Sequence, residues 1–207
     1  MTYTRNDANE SKLHDKYHSI TLDGHKWNTK FNSQATWLYS SPFGTSNFPF
    51  SAFKIDQNQL KSNSSLYALI GQVHEAMNTS LNAPDVPAHS LTHSSTYIIL
   101  HENFVIASAI VAPLQTAYTL SSSSTHHNIV INRQSIKGAK FGVHRIHVLP
   151  KFRRRGLGKA LLKAISEHQV YGYTLSTDEI AFSQPTPEGS KLAASWVGGL
   201  NYLVFEE

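Results

Sequence analysis

The chain has 207 residues, of which 40% are hydrophobic, enough for one α/β domain with a sizeable core and a short additional segment. Eighteen Lys and Arg against 14 Asp and Glu give a net charge of +4, which is compatible with anionic partners but does not by itself indicate nucleic-acid binding. The absence of cysteine excludes disulfides, thiolate metal sites and a cysteine nucleophile. No apolar run approaches the roughly 20 residues that span a bilayer, and the first residues lack the apolar core of a signal peptide. We therefore expect a soluble, unsecreted protein in a reducing compartment.

The first half of the chain contains one clear helical pattern. Residues 28–50 mix aromatic residues with Ser, Asn, Gly and Pro without a sustained period, and we expect a linker that packs in places. Apolar residues then recur at helical spacing, which predicts an amphipathic helix over 65–79. Asn82 and Pro84 are typical of the end of such a helix.

Two β-rich runs follow this helix. They cover 96–101 and 104–112, and the polar Glu102-Asn103 pair between them predicts a hairpin. The polar and basic stretch 113–140 is typical of a variable surface excursion, with a short strand at 129–131. We expect no chemistry there.

The second half has a more regular pattern. Residues 142–148 predict a strand that leads through a loop into a helix with one apolar face. A strand over 171–175, a helix beginning near Thr186-Pro187 and a last strand in 201–205 complete the expectation.

The loop between the first of these strands and its helix is the most informative segment. Residues 153–158 read Arg-Arg-Arg-Gly-Leu-Gly, the form Arg-x-x-Gly-x-Gly. Glycines let the backbone approach a phosphate, and the helix N-terminus adds partial positive charge. A solvated basic loop is the alternative, but the strand and helix on either side favour a nucleotide-type ligand. A P-loop NTPase is disfavoured because no Gly-Lys-Ser/Thr follows, and a dinucleotide fold because no second βαβ unit follows.

The strand, Val148-x-Pro150, the loop and the helix together resemble motif A of the GNAT acetyltransferases, whose loop holds the pyrophosphate of acetyl-coenzyme A. Residues 142–148, followed by YGYTLSTDEIAFSQPT at 171–186, are similar to the establishment-of-cohesion acetyltransferases. That family modifies the SMC-type ATPase subunit of cohesin.

The resemblance implies an α/β (α+β) GNAT fold with a mixed central sheet flanked by helices. It also implies acetyl-CoA as cofactor and transfer of acetyl to a protein lysine, in the cohesin SMC subunit, to establish sister-chromatid cohesion. A nuclear location follows, with chromatin or the replication machinery as further candidate partners and no membrane.

The amino end adds a second resemblance. Residues 1–27 are similar to the second half of the zinc finger that precedes the catalytic domain in this family, and His14 and His18 stand at its histidine positions. Two cysteine ligands are missing, and tetrahedral zinc needs four ligands, so we expect no metal. Two plain histidines on a helix face are the alternative. The resulting division is an incomplete finger over 1–27, a linker over 28–50 and a GNAT domain over 51–207.

The cofactor contacts are carried over from the resemblance. The backbone N–H groups of Ile146 and Val148 would meet the thioester carbonyl and the pantetheine arm. The phosphates would lie on the loop and the first helical turn, formed by Arg153, Arg154, Arg155, Gly156, Leu157, Gly158 and Lys159.

The catalytic groups are less clearly indicated. Strand alternation places His144 on one face with Ile146 and Val148, where a neutral imidazole could accept the lysine proton. A packed histidine is the alternative, and the family usually carries Ser at this position. Asp178 and Glu179 are further candidates to act on or recruit the lysine, against the alternative of plain solvation.

Two further points stay open. Arg145 beside Tyr171 and Tyr173 fits either a structural pair or a substrate contact. The chain has Lys163 where the family tends to have an acidic residue, which favours a non-catalytic acetyl-CoA-binding or protein-interaction module as one alternative. A GNAT enzyme for a small amine is the other.

Overall fold

The structure is a computed structural model that describes residues 19–40, 48–122 and 129–207. The histidine pair predicted as a finger remnant, His14 and His18, lies outside the described residues. Within these ranges no helix combines the length and apolarity that crossing a bilayer would require.

The described strands and helices follow one another in a mixed order. The strands are β1 (His25–Lys26), β2 (Thr36–Ser40), β3 (Ser51–Asp56), β4 (Ser95–His101), β5 (Phe104–Pro113), β6 (Ala117–Ser122), β7 (Ile129–Lys137), β8 (Phe141–Val148), β9 (Ile180–Ser183) and β10 (Leu203–Phe205). The α-helices are α1 (Gln57–Lys61), α2 (Ser64–Leu81), α3 (Ala88–Leu91), α4 (Leu157–His168) and α5 (Pro187–Val197). Short 3-10 turns cover Thr29–Ser33, Pro150–Phe152 and Thr177–Glu179.

The strands form one sheet in the order β2-β3-β4-β5-β8-β9-β10-β6-β7, with β1 beside β5. The pairs β8–β9 and β9–β10 are parallel, and the other pairs are antiparallel. This is the mixed sheet that the sequence predicts.

Helices cover both faces of the sheet, as the alternation along β4 demonstrates. Tyr97 and Ile99 pack in the cluster that contains the buried side of α4, whereas Ile98 and Leu100 pack with the buried side of α2. Successive side chains of a strand point to opposite faces, so α4 and α2 lie on opposite faces. We call these the α4 face and the α2 face.

The predicted helix and hairpin of the first half are confirmed. Helix α2 begins after Asn63, whose side chain accepts a hydrogen bond from the Leu66 N–H, and ends at Asn82 in the left-handed conformation. The β4–β5 hairpin turns at Glu102 and Asn103, which both have positive φ, as the tight hairpin turn requires.

Helix α5 begins as predicted, with Thr186 accepting from the Gly189 N–H and Pro187 at the first helical position. The strand predicted at 129–131 is also present, and it extends to Lys137 as β7. Because β7 pairs with β6, the stretch predicted as a surface excursion contributes a hairpin to the sheet.

Two stretches differ in detail from the sequence expectation. In the region predicted as a linker that packs in places, β2 pairs with β3 in the sheet, and the adjoining Trp27 is buried in the core beneath α2. Residues 171–175 do not form a strand: a single bridge joins Val170 to Tyr173 around Gly172 at φ +70°. The parallel partner of β8 is instead β9, five residues further on.

Candidate active site

The site lies where two parallel strands separate. Strands β8 and β9 pair from Phe141–Ile180 to Val143–Phe182, and the register ends there. Strand β8 continues to Val148 while β9 ends at Ser183. A gap therefore opens beside the second half of β8, on the side away from β5.

Backbone donors of β8 face this gap. The Leu149 N–H donates to the Ile106 carbonyl at 3.0 Å, toward β5. N–H groups alternate in direction along a strand, so those of Ile146 and Val148 point away from β5, into the gap. This is the direction that the sequence-based assignment of these two residues requires.

The basic loop follows directly at the end of the gap. Arg153, Arg154, Arg155 and Lys159 are all exposed around the start of α4. Arg153 donates from Nε to the Val148 carbonyl at 3.0 Å. Arg154 pairs with Glu188 at 3.0 Å, and the guanidinium of Arg155 lies 4.7 Å from the Phe48 ring centroid.

The N-terminus of α4 suits a phosphate ligand. Its N-cap residue, Gly156, lies at φ +79° and has no side chain to cap the first turn. The first N–H groups of a helix lack intrahelical partners, and together with the macrodipole they form an anion site. The donors and the cations present therefore fit a pyrophosphate.

The two other loop residues have structural parts as well. Leu157 is buried in the core on the α4 face, so a ligand on the loop can meet its backbone but not its side chain. A Cβ on Gly158 would lie 2.9 Å from Leu192 Cδ2. This glycine thus permits the close packing of α4 against α5.

A β-bulge changes the position predicted for His144. Val111 opposes Val143 and Ile110 opposes Arg145, so His144 is the extra residue of a bulge, which reverses side-chain alternation beyond it. Val143 packs on the α4 face, as do Ile146 and Val148 beyond the bulge. His144 instead packs edge-on against Phe205, with ring centroids 4.9 Å apart. The prediction that His144 shares a face with Ile146 and Val148 is therefore wrong.

The bulge puts His144 and Arg145 beside the same carboxylate. His144 Nδ1 lies 2.9 Å from Glu207 Oε1, and Arg145 donates from Nη1 to Oε1 at 2.6 Å and from Nη2 to Oε2 at 3.0 Å. The side chains of His144, Arg145 and Glu207 are 5%, 6% and 18% exposed. We call these three residues the His144 centre.

A cavity of about 390 Å³ connects this centre with the gap. Its walls are the turn after α2, residues 143–146 of β8 and the segment that joins β9 to α5. Gln184 and Glu207 both line it, as does His144. Ser183 closes one side by donating to the His144 carbonyl at 2.5 Å.

Burial lowers the pKa of His144, and Arg145 and His89 add to this effect, while the hydrogen bond and the charge of Glu207 oppose it. The ring is therefore neutral at neutral pH and can accept a proton. A neutral ring is the protonation state that the hypothesis of His144 as catalytic base requires.

The structure does not bring Asp178 and Glu179 to the cavity. They lie just before β9, where the Lys140 N–H donates to the Glu179 carbonyl, at the opposite end of β9 from Ser183. Glu179 closes a turn: it pairs with Lys140 and accepts from Tyr173 and from the Ser176 N–H. Lys140 and the other donors lower the pKa of Glu179 to about 2. These contacts make it a turn cap, and Asp178 is exposed beside it.

Arg145 does not contact Tyr171 or Tyr173. Besides Glu207, its guanidinium donates to the Pro84 and His144 carbonyls at 2.9 Å and 2.7 Å. Tyr173 pairs with Lys140 and Glu179, and Tyr171 is fully exposed. Arg145 therefore has a structural pair, but with Glu207 and with neither tyrosine, and it also lines the cavity.

Glu207 is the site residue that the sequence reasoning missed. It lies 63 residues from His144 in a short polar ending, and no motif marks it. Among the described residues, no group of three or more His, Asp and Glu has an arrangement that could hold a metal.

Two family models match the chain. One, described as "Acetyltransferase (GNAT) family", matches residues 68–169, and the other, "ESCO1/2 acetyl-transferase", matches 137–205. Together they cover the β8–loop–α4 segment and both strands of the gap. The acetyltransferase domain of xEco2, solved with a K105-CoA conjugate, has the same fold, with a TM-score of 0.70 over 83% of this chain and 96% of that one at 22% identity. Fold and site thus define a GNAT acetyltransferase.

Individual relatives narrow the class. The chain is 27% identical to N-acetyltransferase ECO1 of Debaryomyces hansenii, over 96% of this chain and 75% of that protein. It is 25% identical to ECO1 of Saccharomyces cerevisiae, over 96% and 81%, and 24% identical to human ESCO1, over 67% and 18%. The chain is therefore similar to the ECO1/ESCO N-acetyltransferases.

Proposed function

We propose that the chain transfers the acetyl group of acetyl-CoA to the Nζ atom of a lysine on a protein, and that this protein is the SMC subunit of cohesin. The lysine substrate is supported by the K105-CoA conjugate held by the xEco2 domain of the same fold. Cohesin, a nuclear location and contact with chromatin or the replication machinery follow from the family resemblance.

The observation that carries the proposal is the shared gap. The N–H groups of Ile146 and Val148 point into the gap beside β8. The basic loop follows soon after the end of β8, and the cavity that contains His144 extends to Ile146. We propose that one elongated ligand spans these three regions. We assign its pyrophosphate to the uncapped start of α4 and to Arg153, Arg154, Arg155 and Lys159.

Bound acetyl-CoA would supply an acetyl group activated as a thioester. The N–H groups in the gap would orient that group and stabilise negative charge on its carbonyl oxygen. His144 would take a proton from the lysine ammonium, directly or through a water, and so free the lone pair that forms the new N–C bond as the C–S bond breaks. The sulfur leaves with the electron pair of that bond and takes up the second proton, which the nitrogen loses as the amide forms.

The test is acetylation of a recombinant cohesin SMC subunit with labelled acetyl-CoA, with the modified lysines mapped by mass spectrometry. We expect transfer to lysine and a higher kcat/KM than for a free polyamine such as spermidine. Preference for the polyamine would favour the small-amine alternative. Cofactor binding without transfer to any acceptor would favour the non-catalytic module.

The base is tested by His144→Ala. We expect turnover to fall by about 10²–10⁴-fold with nearly unchanged affinity for acetyl-CoA, the usual range for a positioned acid or base. His147→Gln is the matched control, because His147 lies on the same strand but hydrogen-bonds to Ser80 of α2 at 2.8 Å. Equal losses in the two variants would contradict a special role for His144.

A further inference from the structure

The His144 centre contains a carboxylate, that of Glu207, to which the proposed reaction assigns no role. Glu207 contacts His144 through one oxygen and Arg145 through both. Such a bidentate ion pair has a fixed geometry. Its partner, the guanidinium, is itself held by the Pro84 and His144 carbonyls, so Glu207 is held from several directions.

This arrangement decides which nitrogen of His144 carries a hydrogen. A guanidinium is protonated at any ordinary pH and pairs with an ionised carboxylate, which can accept hydrogen bonds but not donate them. The 2.9 Å contact between Nδ1 and Oε1 therefore requires the hydrogen on Nδ1. In the neutral ring the lone pair is then on Nε2.

From this geometry we propose that Glu207 is a positioning residue, which fixes the Nδ1–H tautomer of His144 and leaves Nε2 as the atom that accepts the lysine proton. The inference rests on the proposed function, since it names the support of the base in that reaction. Phe205, packed edge-on against the ring, restrains its orientation from a second side.

The charges around His144 predict how removal of the Glu207 carboxylate changes the pKa of His144 and the pH dependence of the rate. The charged or titratable groups that act on the ring are Glu207, Arg145 and His89: Glu207 raises the pKa of His144, and the other two lower it. Without the Glu207 charge the pKa of His144 falls further. The acidic limb of the rate, which follows deprotonation of His144, then moves to lower pH, and a weaker base gives a lower plateau.

The experiment compares pH profiles of kcat for acetylation of a lysine acceptor. In Glu207→Gln we expect a plateau about 10- to 100-fold lower, part of the effect of a whole base, and a limb at lower pH. Glu207→Asp keeps the charge and should restore much of both. Glu206→Gln, a change of the neighbouring exposed carboxylate, should match the wild type.

A structural role alone would give a different result. If Glu207 only holds the chain end, Glu207→Gln lowers the melting temperature while the limb stays where it is. That outcome would overturn the inference.

The tautomer of His144 can also be measured directly, without a variant and without an activity assay. Two-dimensional ¹⁵N NMR of the imidazole in the wild-type chain reports the tautomer directly, and we expect Nδ1–H. A ring protonated on Nε2 would overturn the inference even in an active enzyme. A wild-type chain that acetylates no lysine substrate would overturn the proposed function instead, and the NMR experiment would still decide the tautomer.

Discussion

The basic loop and the His144 centre both depend on strand β8, yet they are assembled over different distances along the chain. The loop spans seven consecutive residues, 153–159, and the groups that we propose to bind phosphate are backbone N–H groups and exposed cations. In the His144 centre, Glu207 contacts Arg145 and His144, which lie 62 and 63 positions earlier in the chain. The side chains of all three residues are largely buried. An anion site built from the backbone of consecutive residues can therefore be recognised in a sequence. A buried polar network of residues far apart in the chain cannot.

The largest effect that we expect is on the free energy of unfolding, which a substitution in the His144 centre should lower and the same substitution in the basic loop should not. Arg145→Met should lower the free energy of unfolding by about 3 kcal/mol, because removing one partner of a buried pair leaves the other charge uncompensated. Arg154→Met, the same change in the loop, removes a pair with Glu188 whose side chains are 80% and 59% exposed, and should give no resolvable change.

Urea denaturation of both variants measures the difference. Equal destabilisation would show that the loop is built into the fold as firmly as the centre, and would remove the contrast between them.

The next effect concerns binding and the loop alone. Gly156→Asp should weaken acetyl-CoA affinity about 100-fold, or about 2.7 kcal/mol, because a carboxylate at the start of α4 repels the pyrophosphate. Gly172→Asp is the matched control: Gly172 also has positive φ, and a Cβ there would meet nothing within 4 Å. Isothermal calorimetry on both folded variants provides the comparison. Unchanged affinity in Gly156→Asp would remove the pyrophosphate assignment.

The smallest effect concerns His147, which lies on β8 between the two regions. Burial, with a contribution from Arg153, lowers the pKa of His147 to about 4. The unfolded chain, with a histidine pKa near 6.5, binds this proton first, so stability is present above that value and is lost as pH falls toward 4.

Between pH 7 and 5.5 the loss attributable to His147 should be about 1 kcal/mol. His147→Gln should flatten this part of the stability profile, while His93→Gln, a change of an exposed histidine, should not. Thermal unfolding followed across that pH range measures both slopes. An unchanged slope in His147→Gln would mean that folding does not lower the pKa of His147.

The sequence predicted the elements that carry local signals and failed for those that depend on contacts between distant segments. The helix α2, the β4–β5 hairpin and the start of α5 carry local signals such as Asn63, Asn82 and Thr186, and all three were predictable. The edge strand β2 has no sustained period and is held by pairing with β3, so its composition suggested a linker. Likewise the run 171–175 has strand-forming residues, but Gly172 turns the chain there.

The sequence by itself determined the class of protein and the order strand, basic loop and helix, because the proposed anion site consists of backbone N–H groups whose position depends on neighbouring residues. The tertiary structure alone decided where His144 points and what it contacts. The bulge arises from the register of β8 against β5, and the pairing with Glu207 depends on β10 returning beside β9. Both are long-range events: a single extra residue in a strand reverses every later side chain, and no local pattern in the sequence marks it.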